Sequence, residues 1–187
     1  MRVAGLIQDS IVDGPGLRFV VFAQGCELHC AECHNPEARV LDGGAETDVG
    51  AVVAEMARNP LTDGLTLSGG EPFLQAADCA LIAAAARDMG LSVWTYSGYT
   101  FEELIGLAES DPGARELLAL TDVLVDGRFV LAERTLSAKW RGSGNQRLID
   151  APRSLAAGAA VEFTETEKEV RYGDYQGQRP VWRPRGA

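Results

Sequence analysis

Hydrophobic and polar positions fall in short blocks along the chain, and the period changes from block to block. Leu17–Ala23 (LRFVVFA) is a β-rich apolar run of strand length. Thr47–Arg58 places Val49, Val52, Val53 and Met56 at helical spacing. Leu65–Leu67 is a short strand ending in Ser68-Gly69-Gly70-Glu71-Pro72, and Ala76–Met89 is an alanine-rich helix stopped by Gly90. Leu91–Tyr96 (LSVWTY) reads as the next strand, followed by Ser97-Gly98. Thr100-Phe101-Glu102-Glu103 is a capping box that opens a helix through about Ala108. A further helical piece begins after Pro112 and closes over Leu117–Leu120. Val123–Val125 is a strand running into Asp126-Gly127-Arg128, and Gln146–Ile149 and Val161–Phe163 are weaker strand candidates. Residues 1–163 are read as one domain. Residues 164–187 are polar, with Gly, Gln and Pro, and read as a tail or a late hairpin.

Strands alternating with helices predict βαβ units and an α/β fold with a mostly parallel sheet. Each of the four clear strands ends in a loop without core character: Gln24-Gly25-Cys26, Ser68-Gly69-Gly70-Glu71, Ser97-Gly98 and Asp126-Gly127-Arg128. In parallel α/β proteins the site gathers at those carboxyl ends. A full eight-unit barrel takes about 250 residues, so a chain of 187 residues is read as a partial barrel or an open doubly wound sheet. The pattern alone leaves both open.

Composition narrows the function classes. Hydrophobic residues make up 46% and charged residues 24%, enough for a real core and too ordered for a disordered chain. Seventeen basic against 27 acidic residues give a net charge of −10, which argues against a general nucleic-acid binder. The longest apolar run, Cys79–Ala86, is far short of the roughly 20 residues of a membrane span. Gln8-Asp9 arrives too early for a secretory leader, so a cytoplasmic location is expected.

The chemistry starts at the cysteines. Cys26, Cys30 and Cys33 fall within eight residues, as C-x3-C-x2-C with His34 directly after, while Cys79 stands alone in the alanine-rich helix. Three thiols in one short loop are poor geometry for disulfides and are more often metal ligands. Three thiolates can hold three irons of a four-iron cluster and leave one iron open. The alternative is a structural Cys3His zinc site through His29 or His34, although zinc spacing usually pairs two separated couples. Cys79 is read as a core residue.

The cysteine loop after an early strand, followed by Gly69-Gly70-Glu71-Pro72 after the next, resembles the radical S-adenosylmethionine superfamily. Ser10–Arg18 (SIVDGPGLR), Asp122–Val130 (DVLVDGRFV) and Trp140–Ile149 (WRGSGNQRLI) resemble its glycyl-radical activase branch. The likeness runs from about Ser10 to Asp150. It implies a truncated parallel β/α barrel, one [4Fe-4S] cluster held by Cys26, Cys30 and Cys33, and S-adenosylmethionine on the open iron. Reductive cleavage would give a 5′-deoxyadenosyl radical. The implied target is a backbone glycine of a large anaerobic ribonucleotide reductase subunit, with a low-potential donor such as a flavodoxin or ferredoxin. Neither nucleic acid nor membrane is an expected partner.

The resemblance also assigns cofactor-binding residues. Backbone groups of Glu32, Cys33 and His34 are the adenine neighbours; Glu32 stands where many relatives carry an aromatic ring. Gly69 and Gly70 meet the methionyl ammonium with Glu71 close by, Thr95 and Ser97 reach the ribose or methionyl group, and Asp126, Arg128, Asn145 and Gln146 are the weaker candidates for the far side. Arg128 to Arg153 holds six basic and two acidic residues, +4 within a protein of −10. It reads as a solvated face, or as a surface whose Arg141 or Arg147 meets the partner or the cofactor carboxylate. Rival readings are an activase for another glycyl-radical enzyme, an iron–sulfur electron carrier, and a zinc-binding module.

Overall fold

Seven strands hydrogen-bond into one sheet in the computed structural model, which describes residues 1–164. They are β1 (Arg2–Ser10), β2 (Arg18–Ala23), β3 (Ala45–Glu46), β4 (Gly64–Gly69), β5 (Ser92–Tyr96), β6 (Val123–Asp126) and β7 (Arg147–Asp150). Their order across the sheet is β3-β1-β2-β4-β5-β6-β7. β2, β4, β5 and β6 run parallel, whereas β1, β3 and β7 join antiparallel at the two sides. The helices are α1 (Val49–Met56), α2 (Ala76–Asp88), α3 (Phe101–Ser110), α4 (Pro112–Leu120) and α5 (Ala151–Ala157). The fold is thus mixed α/β with a largely parallel centre.

Local chemistry accounts for most of these boundaries. Thr100 Oγ1 accepts from the Glu103 N–H at 3.2 Å while Glu103 Oε2 accepts from the Thr100 N–H at 2.8 Å, so the capping box at α3 is complete. Gly90 follows α2 with φ 78°, a left-handed turn that glycine adopts without strain.

Three elements were not evident from the pattern. β1 buries only Val3 and Ser10 and is bulged twice against β2, so it shows no clean alternation. α5 is only seven residues long, held by the Asp150 side chain accepting from the Arg153 N–H at 3.0 Å and ended by Gly158 at φ 68°. β3 is a two-residue edge. The Val161–Phe163 candidate contracts to a single bridge between Glu162 and Ile149, and residues 165–187 of the expected tail lie outside the described residues.

The sheet has two unlike faces, set by the two-residue period of a strand. One face carries Phe19, Val21, Leu65, Leu67, Val93, Leu124 and Ile149, which pack into the main core with helix residues such as Ile82, Leu104 and Leu117. Each such side chain, fully buried, contributes about 1.5–3 kcal/mol. Cys79 of α2 is among them at 0% exposure, as expected of a core residue. The opposite, inner face holds a smaller cluster of Trp94, Val123 and Val125 with Tyr96, Trp140, Leu148 and Phe163.

Arg18 closes the amino end of this inner face. It is wholly buried; its Nε donates to Thr66 Oγ1 at 3.0 Å, its Nη1 to Ser92 Oγ at 2.6 Å, and its Nη2 to the Leu65 carbonyl. The guanidinium also lies 5.8 Å from the Trp94 ring centre. The carboxyl end of the same face is left open for a site.

Candidate functional site

A cavity of about 300 Å³ opens at the carboxyl ends of β2, β4 and β5, on the inner face. Cys26, Cys30, Cys33 and His34 form one wall, the strand ends Ser68-Gly69-Gly70 and Tyr96-Ser97-Gly98 the second, and Phe129, Trp140, Arg141 and Gln146 the third. The cysteine wall is stitched to the sheet at its base. The Gly25 N–H donates to the Ala38 carbonyl at 2.7 Å and the Cys26 N–H to the Arg39 carbonyl at 3.1 Å. Gln24 Nε2 closes the same loop by donating to Glu37 O and Val40 O at 3.0 and 2.6 Å.

Between these anchors the backbone turns left-handed twice, at His29 (φ 52°) and Glu32 (φ 53°). Such conformations are strained for residues with a Cβ and collect at functional loops. Here they accompany a loop in which all three thiols reach one cavity. Burial pushes the Cys26 thiol up from its ordinary value, against a backbone hydrogen bond from Leu28 that favours the thiolate. The Asn35 N–H lies 3.4 Å from Cys33 Sγ as a donor. Among the described residues no three His, Cys, Asp or Glu side chains converge on a single-ion site. Cys26, Cys30 and Cys33 share the lining of the cavity instead, and Cys79, in the core, is not part of its wall. A donor set of three thiols around a shared cavity fits a polynuclear cluster.

Residues 12–149 match the family model of a 4Fe-4S single cluster domain, a span that contains the entire cavity wall. The chain is also 33% identical over 144 residues to an anaerobic ribonucleoside-triphosphate reductase-activating protein of Vibrio cholerae, covering 73% of this chain and 89% of that protein. The Escherichia coli (strain K12) protein of the same name is 33% identical over 147 residues, covering 73% and 90%. That of Enterobacteria phage T4 is 32% identical over 145 residues, covering 73% and 86%. The chain belongs to the anaerobic ribonucleoside-triphosphate reductase-activating protein family.

Of the residues singled out from the sequence, this member of the activating-protein family brings Cys26, Cys30, Cys33, His34, Gly69, Gly70, Ser97 and Gln146 to one cavity. His34 packs its ring 5.4 Å from Phe129, which ties the cysteine wall to the third wall. Glu32 is exposed and outside the wall.

Thr95 and Asp126 need correction as wall residues. Both occupy the helix-side register of their strands. Thr95 is buried with its Oγ1 2.8 Å from Thr121 Oγ1. The Asp126 carboxylate accepts from the Phe101 N–H at 2.7 Å and from Arg147 at 3.0 and 2.5 Å. Arg147 is also held by Glu102 at 2.7 Å, so its guanidinium is engaged within the fold rather than offered to a ligand. Arg128 lies 3.6 Å from Glu103, and Asn145 donates to the Arg128 carbonyl at 2.8 Å; neither lines the cavity.

Gly69 and Gly70 lack side chains for a reason different from ligand approach alone. At Gly69 (φ 107°) a Cβ would lie 2.5 Å from both the nitrogen and the oxygen of Ala23. At Gly70 it would strike the Gly25 carbonyl oxygen and lie 2.5 Å from that of Ala38. The two glycines let β4 seat directly on the base of the cysteine loop. Gly70→Ala is therefore expected to cost about 1–3 kcal/mol, as an overpacked site does, and to lower cluster occupancy. Unchanged denaturant midpoint and iron content would contradict this.

Glu71 sits behind the wall as a clamp. Its Oε1 accepts from the Phe73 N–H and from Ser97 Oγ, both at 3.0 Å, and its Oε2 accepts from the Gly98 N–H at 2.9 Å. The carboxyl thus ties the β4 loop to the β5 loop, and burial pushes it up to about 7 despite the three donated bonds.

Sequence reading missed Asp13, Phe22, Ser68, Tyr96, Phe129 and Trp140 as wall residues. The signal for Ser68 and Tyr96 was available. With Leu65, Leu67 and Val93 facing the helices, the even-numbered residues of β4 and β5 must face the other way. Burial, with the Asp13 carboxylate adding to it, pushes the Tyr96 phenol above its ordinary range.

Proposed function

We propose that the chain activates an anaerobic ribonucleoside-triphosphate reductase by radical S-adenosylmethionine chemistry, using one [4Fe-4S] cluster. The observation that carries this reading is the meeting of three thiols and the Gly69-Gly70 strand end at one cavity, in a chain of the activating-protein family. Cys26, Cys30 and Cys33 would hold the cluster; Gly69, Gly70, Ser97 and His34 stand where S-adenosylmethionine would lie against it. Together the two groups supply one-electron cleavage of the sulfonium carbon–sulfur bond.

The residues of the chain do the rest. The apolar rings of Phe22, Phe129 and Trp140 at the wall limit water around the reacting groups. The inner face, with Arg18 at its closed end, serves as the interior of a truncated β/α barrel, and its open mouth admits a glycine-bearing segment of the reductase. A low-potential flavodoxin or ferredoxin in the cytoplasm would supply the electron. No described helix is long and apolar enough to cross a membrane.

The test is anaerobic electron paramagnetic resonance. Cluster-loaded protein, reductant, S-adenosylmethionine and the matching anaerobic reductase are expected to yield a glycyl-radical doublet. Formation of 5′-deoxyadenosine without the doublet would move the target to another protein. Neither signal from a verified cluster would favour an electron carrier.

A further inference from the structure

The large apolar side chains that the described chain leaves in water are not spread evenly. Leu136 is the most exposed of them at 93%, and Ile11 and Val12 are also strongly exposed, Ile11 at 75%. Val12 and its neighbour Asp13 line the cavity from the β1–β2 connection, while Trp140, Arg141 and Gly142 line it from the β6–β7 connection. These two connections belong to opposite flanks of the sheet, so exposed apolar groups stand on both sides of one mouth. Leu61, about as exposed as Ile11, precedes β4 at the other end of the strands.

A single exposed leucine calls for no explanation, but the way Leu136 is held does. Glu133 to Gly144 form a hairpin: the Gly144 N–H donates to the Glu133 carbonyl at 2.8 Å, the Thr135 N–H donates to the Gly142 carbonyl at 3.1 Å, and Arg134 bridges Ser143 between them. Its base is tied down by the Val130 N–H donating to Ser143 Oγ at 3.2 Å. Its returning limb is fixed by the Trp140 ring, packed edge-on to Trp94 with centroids 5.0 Å apart. Trp140 adopts a left-handed backbone (φ 58°) in doing so, which is costly for a bulky residue. A braced finger therefore carries an apolar tip into solvent at the rim of the cavity. The same finger holds three basic residues, Arg134, Lys139 and Arg141, against one acidic residue, Glu133, within a chain of net charge −10. An apolar anchor among cations fits an acidic surface with an apolar recess.

We propose that this finger, with Leu136 as its anchor and Arg134 as its steering charge, forms with Ile11 across the mouth the surface on which the anaerobic reductase docks, through an acidic patch around an apolar recess. The inference rests on the reading of the reductase as the target. Position favours the reductase over the electron donor. Abstracting a hydrogen needs reacting atoms about 3–3.5 Å apart, so the glycine-bearing segment enters the cavity and the protein that carries it meets the rim. A donor delivers only an electron, and the exposed Glu27, His29 and Glu32 leave the outer side of the cysteine loop open to it.

The test uses the full, cluster-loaded chain with a chemical reductant in place of a protein donor, and follows glycyl-radical formation against reductase concentration. Leu136→Asp and Ile11→Asp are each expected to raise the half-saturating reductase concentration about tenfold or more, the size of an interface anchor. Arg134→Glu is expected to raise it at low salt and to weaken its dependence on ionic strength. The rate of 5′-deoxyadenosine formation without the reductase stays at the wild-type value in all three variants. An equal fall in that rate would place the effect inside the cavity and overturn the docking surface. Unchanged half-saturation in all three variants overturns it as well and leaves the target reading standing. So does a defect seen only when a protein donor replaces the chemical reductant, which would make the finger the donor's surface. A wild-type protein that forms 5′-deoxyadenosine but no glycyl radical overturns the target reading and this surface with it.

Discussion

Replacing any one of Cys26, Cys30 and Cys33 with serine is expected to abolish cluster assembly and reductase activation together. Three thiols line the cavity, and the fourth cysteine of the chain cannot take a vacant place. Cys79 is at 0% exposure within α2, and burial pushes its thiol up to about 12, so neither its position nor its protonation suits a ligand. A cluster with three protein ligands has none to spare. The loss should exceed the roughly 100-fold that removing a mere supporting residue around a metal costs. Iron and acid-labile sulfide per chain, read beside the glycyl-radical yield, measure it. Cys79→Ser is the control: it should keep the cluster and cost about 1–3 kcal/mol for burying a hydroxyl in an apolar site. A Cys30→Ser protein with full iron, sulfide and activity would end the three-thiol assignment.

Removing the Glu71 side chain is the second large effect. Glu71→Ala strands three donors at once, the Phe73 and Gly98 N–H groups and the Ser97 hydroxyl. All three are in or against buried structure, so the cost is about 3–5 kcal/mol. Chemical denaturation of the cluster-loaded chain measures it, and a loss below about 1 kcal/mol would show that the clamp is not structural.

The same carboxyl makes stability depend on pH in a stated direction. It titrates at about 7 in the folded chain and near ~4.3 when unfolded, so between these values the folded state holds the extra proton. The stability linked to that proton is complete below the unfolded value and is lost as pH rises through the folded one. Glu71→Gln stays neutral throughout and turns an amide N–H toward a donor. The Tm of the wild type relative to Glu71→Gln should therefore be highest at about pH 4 and fall as pH rises toward about 8. A gap that widens with pH would reverse the assignment of burial as the dominant influence on Glu71.

The elements that could be read from the chain are those whose signals are local. Thr100 and Glu103 complete their capping box with backbone groups at most three residues away, and Gly90 ends α2 by its own conformational freedom. The core strands β2, β4, β5 and β6 are short apolar runs bounded by turn residues. β1 and β3 carry no such signal, because they lie at and next to the edge of the sheet and bury few side chains, so no apolar run or clean alternation marks them. Their place in the sheet comes from pairing across the fold.

The site divides along the same line. That Cys26, Cys30 and Cys33 reach one cavity was legible because they sit close together on one loop, and spacing is a property of sequence. Thr95 and Asp126 were misplaced because chain position says that a residue is at a strand end, but not toward which face it points. That is decided by register, and a shift of one residue reverses it. Glu71 and Gly70 were found as motif residues, yet their tasks, a clamp between two loops and a seat for the cysteine loop, exist only once β2, β4 and β5 lie side by side. Arg141 shows the limit most plainly. Sequence offered Arg141 and Arg147 as equals within one basic stretch, and tertiary structure separated them. Two carboxylates brought in from α3 and β6 neutralise Arg147, while Arg141 lies in the cavity wall with its Nη1 donating to the Gln146 carbonyl. The sequence by itself determined which chemistry the chain can hold, because ligand identity and spacing are local. Only the tertiary structure decided which polar groups remain free to use it, because every partner that consumes them arrives from far along the chain.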